Sequence, residues 1–133
     1  MKYLAFAGSP NQLIGIKEFL YKNDIKNYEI YLQLSKHKRV NIQLEKTAKI
    51  LKLNNIKRIK RNKITIIRAI ETIIFLLKIL IKYKKKDLTF IISNFLDTFF
   101  HLLRTLFNYS KFILIDDGFA TFWIYKKYLY KKK

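Results

Sequence analysis

Residues 111–122 read KFILIDDGFATF, an apolar run that empties into two adjacent aspartates and a glycine. The run Phe112 to Ile115 is too short for a helix and rich enough in Phe, Ile and Leu to be an interior strand. In a chain of formal net charge +19, setting Asp116 beside Asp117 at the mouth of such a strand is locally costly, because neighbouring carboxylates repel and must be solvated or matched. Gly118 lets the backbone take a positive φ there. If the strand belongs to an open parallel sheet, the carboxylates stand at its C-terminal end, where α/β sheets bind ligands.

The rest of the chain supplies such a sheet. Residues 3–7, YLAFA, form a compact apolar run that ends at Gly8-Ser9-Pro10-Asn11, a strand followed by a turn and a helix start, with Ser9 as cap and Pro10 in the first turn. Leu13, Ile16, Phe19 and Leu20 then recur at spacings of three and four as one helical stripe, closed by Asn23-Asp24. Tyr28 to Leu34 alternates as a second strand, with Tyr28, Ile30 and Leu32 on one side and Glu29, Tyr31 and Gln33 on the other. Val40, Leu44, Thr47, Ile50, Leu51 and Leu53 mark a second helix that stops at Asn54-Asn55, and Ile56 to Ile59 is a weak third strand.

Ile64 to Lys82 is a long helical pattern of roughly 28 Å at 1.5 Å per residue, with Ile on most of its circumference, so it is expected to be largely covered. Arg68, Glu71 and Lys78 interrupt it, which conflicts with the roughly 18 or more consecutive apolar residues of a spanning helix. Leu88 to Ile92 is a fourth strand, and Leu96 to Phe107 a helix with Phe99, Phe100, Leu103 and Leu106 on its apolar side. Five strands alternating with four helices over short connections predict an α/β fold, a Rossmann-like parallel sheet flanked by helices. Residues 120–133 read as one more helix ending in lysines.

A length of 133 residues allows one core, hence one domain. Half the residues are hydrophobic, with three glycines and one proline, which argues for a packed fold over a disordered tail. The absence of cysteine excludes disulfides and thiolate metal sites, and His37 and His101 are the only imidazoles. No metal site is expected, since a lone Asp pair lacks the further ligands of a hard-cation site. The excess of 28 Lys and Arg over 9 Asp and Glu favours anionic partners. A lysine-, isoleucine- and asparagine-rich composition also arises from AT-rich coding sequence, so charge alone does not choose among nucleic acid, acidic lipid and nucleotide.

Three loops form the expected rim: Gly8-Ser9-Pro10-Asn11-Gln12 after the first strand, Ser93-Asn94 with Asp97 after the fourth, and Asp116-Asp117-Gly118 after the fifth. The hydroxyl and amides of the first suit a sugar or anion at a helix N-terminus, although ordinary capping explains them too. That turn has neither the glycine spacing of a dinucleotide fingerprint nor the lysine of a phosphate loop. The aspartates read equally as a polar turn with a capping carboxylate. His101 is expected to be satisfied and partly buried, and His37 solvated in a basic loop. The patches Lys57 to Lys63 and Lys82 to Lys86, with the terminal lysines, read as a solvated face or as a contact with anionic membrane. Aromatic residues do not interleave with them in a single-strand-binding pattern, so nucleic acid ranks third.

The segments YLAFAGSPNQLIGIKEFL, FIISNFLDTFFHLL and FILIDDGFATFWIYKK, in this order, resemble the N-terminal half of bacterial sialyltransferases of the glycosyltransferase family 52 and polysialyltransferase type. The resemblance spans nearly the whole chain and is specific in DDG and its surroundings. It implies the N-terminal, acceptor-side domain of a GT-B enzyme that transfers sialic acid from CMP-sialic acid to a glycan acceptor in lipooligosaccharide or capsule synthesis. Asp116 or Asp117 would be the general base, Gly118 would shape the loop, and Gly8 to Gln12 with Asn94 would hold substrate, without a cofactor. The family's later His-Pro and serine motifs, which handle the CMP donor, have no counterpart here, since neither His37 nor His101 precedes a proline. The expectation is therefore a donor-less half that is inactive alone and cytoplasmic or peripheral at the inner membrane face. The alternative is a non-catalytic basic module that binds anionic lipid or a partner protein.

Overall fold

The computed structural model describes residues 1–60, 62–83, 87–93 and 98–115. Among these the order is β1 (Lys2–Ala7), α1 (Pro10–Lys22), β2 (Tyr28–Leu34), α2 (Lys38–Ile50), β3 (Ile56–Lys60), α3 (Thr65–Tyr83), β4 (Leu88–Ile92), α4 (Thr98–Leu106) and β5 (Lys111–Leu114). The strands form one sheet in the order β3-β2-β1-β4-β5, and every pairing is parallel. The expected Rossmann-like α/β architecture is therefore present. The chain first steps outward from β1 through β2 to β3, then crosses back to β4 on the other side of β1. That reversal leaves a crevice beyond the C-terminal ends of β1 and β4.

Central strands of a parallel sheet are covered on both faces and become apolar throughout. All five residues of β4 are buried, as are Leu4 to Ala7 of β1. On one face Ala5 and Ala7 meet Leu13, Ile16 and Leu20 of α1, with Leu44 and Ala48 of α2 beside them. On the other face Leu4, Phe6 and Phe90 meet Leu76 and Ile79 of α3 and Leu103 of α4. A row of rings crosses four strands on this second face: Tyr31 stacks on Phe6 at 5.3 Å, Phe6 lies 6.4 Å from Phe90, and Phe90 stacks on Phe112 at 5.1 Å. Cross-strand aromatic pairs of this kind lock register as well as contributing burial.

Three expectations need correction. Phe112 to Ile115 is not an interior strand: β5 is the outermost strand on its side among the described residues, and Leu114 is 53 % exposed. Its apolar composition comes from packing Phe112 against β4 and α4 on one face and Ile113 and Ile115 toward the α1 cluster on the other. The long helix α3 is not largely covered, since Leu76, Ile79 and Tyr83 are buried while its opposite side is a bare row of Ile and Leu. His101 is exposed on α4 beside the Phe100 ring, because the buried stripe of that helix runs through Leu103.

Candidate ligand-binding site

The turn after β1 is built by its own side chains. Ser9 is the N-cap of α1, its extended backbone (φ −143°, ψ 158°) followed by Pro10 at the first helical position. The Gln12 N–H donates to Ser9 Oγ at 3.4 Å, and the Gln12 side chain reaches back so that Gly8 N–H donates to its Oε1 at 2.8 Å. This is a capping box displaced by one residue. Ordinary capping thus occupies the Gly8 and Gln12 amides, donors that an incoming anion would otherwise use. Asn11 is exposed, and Pro10 lies at the rim, half-buried.

Gly8, Ser9 and Gln12 nevertheless line a cavity of about 200 Å³, together with Gln33 near the end of β2, Ser35 just after it, Ser93 beyond β4, and the rings of Phe6, Phe99 and Phe100. It sits where the strand order reverses. The β2–α2 loop on its far side is held by Asn41, whose Oδ1 accepts from Ser35 N–H at 2.9 Å and whose Nδ2 donates to Ser35 O at 2.8 Å. Ser93 is 5 % exposed, and its hydroxyl has no hydrogen-bond partner. A buried hydroxyl without a partner calls for an explanation, because leaving one unmade costs about 1–3 kcal/mol.

The described residues that line this cavity carry no charge, although the chain as a whole is +19. Hydroxyls, side-chain amides and aromatic faces suit a polyhydroxylated ligand, which offers alternating O–H and C–H surfaces, better than a polyphosphate. A second cavity of about 380 Å³ adjoins it through the shared walls of Gln33 and Phe99, and there Lys60 and Arg68 add positive charge beside Glu71.

The sequence brought Gly8, Ser9, Gln12 and Ser93 to one rim, and the structure brings the same four residues to one cavity. Asn94, Asp97, Asp116, Asp117 and Gly118 lie outside the described residues. The strand before the aspartates does run to this rim: Ile115 N–H donates to Ile92 O at 2.8 Å, and a Cβ on Gly15 of α1 would stand 2.9 Å from Ile115 Cγ2. Gly15 is thus what permits α1 to approach the end of β5. Gln33, Ser35 and Asn41 were not singled out beforehand. The signal available for them was position alone, at the end of the strand next to β1, in the loop after it and in the first turn of the helix that follows.

At the opposite end of the sheet lies a cluster that the sequence reading missed. Glu29 Oε1 accepts from Tyr83 Oη at 2.8 Å and meets Lys2 Nζ at 2.8 Å and Lys82 Nζ at 3.3 Å, while Oε2 accepts from Tyr31 Oη and Lys57 Nζ, each at 2.8 Å. Burial pushes the Glu29 carboxyl upward, but the hydrogen bonds from Lys2, Lys57, Tyr83 and Tyr31 outweigh it and hold the group well below its ordinary 4.5. Burial, and then the Glu29 carboxylate, push the Tyr31 and Tyr83 hydroxyls up. No group of three or more His, Asp or Glu able to hold a metal ion occurs among the described residues.

No protein-family model matches the chain, and neither does any curated protein or solved structure.

Proposed function

We propose that the chain is the acceptor-side, Rossmann-like domain of a sialyltransferase-like glycosyltransferase, with the crevice between β1 and β4 as a sugar subsite. The observation that carries this reading is the crevice at the strand-order reversal, whose described lining residues are uncharged and include the unpartnered Ser93 hydroxyl, in a strongly basic chain. Ser93, Gln12 and Gln33 would take the hydroxyls of the glycan, and Phe99 or Phe100 would carry a face of its ring. Asp116 and Asp117 follow Ile115 directly in sequence, and the resemblance makes one of them the general base. That carboxylate would accept the acceptor hydroxyl's proton as its oxygen bonds to the anomeric carbon of sialic acid, while CMP departs with the electrons of the broken bond.

General-base catalysis contributes about 10²- to 10⁴-fold, and only when donor and acceptor are held in line. The chain alone is therefore expected to bind acceptor and to show negligible transfer from CMP-sialic acid. Under this reading it works at the inner face of a bacterial membrane on lipooligosaccharide or capsule glycan.

An NMR titration of the chain with galactose-terminated and sialic-acid-terminated oligosaccharides tests the subsite. The amides of Gly8, Ser9, Gln12 and Ser93 are expected to shift with one of the two sugars. If neither sugar moves these amides, the subsite does not exist. The Asp116→Asn and Asp117→Asn variants should retain that binding, and one of them should abolish transfer when the domain is joined to a donor-binding partner. Transfer that survives both changes would remove the base from the mechanism.

A further inference from the structure

We propose that the outer face of α3 docks the domain flat onto an anionic membrane surface, independently of the sugar subsite. At 3.6 residues per turn, Ile66, Ile70, Ile73, Ile74, Leu77 and Ile81 share an arc of roughly 100°, turned away from the buried Leu76, Ile79 and Tyr83. The first of these is 73 % exposed and the last 78 %. The bare surface continues onto α4, because Leu102 shares a cavity wall with Ile73, and Leu106 shares another with Leu80. Both of these leucines are themselves exposed. A contiguous apolar patch of this kind on a folded domain marks an interaction site.

Charge selects the occupant. Lys78 borders the patch on its exposed side, beside Glu71, the one acidic side chain of α3, and the chain as a whole is +19. A second copy would bring another +19 chain against this one, which Coulomb repulsion opposes. An anionic bilayer satisfies both features at once, since apolar side chains enter the headgroup boundary while Lys and Arg extend along it to lipid phosphates. No helix among the described residues is long and apolar enough to cross a membrane, so the contact is one of lying on the surface.

The test is co-sedimentation of the full chain with vesicles of phosphatidylcholine alone and of phosphatidylcholine mixed with phosphatidylglycerol. Binding is expected to the mixed vesicles and to weaken with salt. The double change Ile70→Asp with Ile74→Asp, at exposed positions that leave the far-UV circular dichroism unaltered, should weaken it by roughly tenfold or more. Lys78→Glu should weaken it by a few-fold. The proposal is overturned if the wild-type chain ignores the mixed vesicles, or if the aspartate variant binds them as well as wild type, which would make the attraction purely ionic. It is equally overturned if sedimentation velocity shows a stable dimer, or a complex with another protein, that the same two substitutions dissociate.

Discussion

Where the strands begin, Glu29 shares two carboxylate oxygens among three lysines and two tyrosines; where they finish, Ser93 keeps a buried hydroxyl with no partner. A carboxylate has about four acceptor positions, so the Glu29 end is filled from within the protein and has no need of a ligand. The Ser93 end is under-filled and faces a cavity. Perturbed titration alone would have pointed to the Glu29 end, although structural ion-pair networks shift pKa values as active sites do. Satisfaction of hydrogen-bonding capacity separates the two where electrostatics does not.

The comparison can be broken most forcefully at Glu29. Glu29→Ala leaves two buried tyrosine hydroxyls and three lysines without their acceptor, and it is expected to cost on the order of 3 kcal/mol of folding stability, read as a lower urea midpoint at unchanged slope. Sugar binding at the other end should persist under conditions where the variant remains folded. A variant as stable as wild type would show that the cluster is a solvated surface feature.

Acid tests the same end more gently. The Glu29 carboxyl titrates lower in the folded chain than its ordinary 4.5, so the unfolded chain binds the proton first as pH falls. Its contribution is complete above about pH 4.5 and drains away below it. Wild type is expected to lose stability steeply on descending through that window, and Glu29→Gln, which has no carboxyl there, to lose less. Glu45 is also lowered, chiefly by its hydrogen bond to Arg58, but that pair is more exposed and adds little. Parallel acid profiles for the two proteins would remove Glu29 from this account.

The sheet was legible because its strands are buried on both faces and their runs of Leu, Ile, Phe and Ala cannot be mistaken for amphipathic helices. Leu88 to Ile92 and Tyr28 to Leu34 were read with their observed bounds. Ser9 was legible as a cap for the same local reason, since an N-cap and a Pro at the next position are chemistry between neighbours. Glu29 was not legible, because its partners come from three other elements and only the register of β1, β2 and β3 brings Lys2 and Lys57 to it. The clue in the sequence was a lone glutamate inside an apolar strand, which a covered sheet tolerates only when it is paired. The bare side of α3 was misread because an all-round apolar helix normally implies cover, and composition cannot say whether the cover is protein or lipid.

Two hydroxyls on β4 and its end give the finest test, since Thr89 Oγ1 is buried and unpartnered as well as Ser93 Oγ. Thr89 stands one residue into the strand, paired with Tyr3 and Lys111, and lines a separate cavity at the opposite end of the sheet. If the sugar subsite is the crevice beyond β1 and β4, only removal of the hydroxyl that faces this crevice should affect sugar binding. Thr89→Val keeps the shape, and Ser93→Ala removes the oxygen with little change in volume. Each is expected to raise stability, by about 1–3 kcal/mol at most, because no bond is lost and the desolvation cost of an unpaired buried hydroxyl disappears. Only Ser93→Ala should weaken oligosaccharide binding, by roughly tenfold for one lost hydrogen bond, as read from the same amide shifts. Equal binding by both variants would mean that Ser93, like Thr89, is merely a packing defect, and the distinction between a filled end and a ligand-ready end would fall with it.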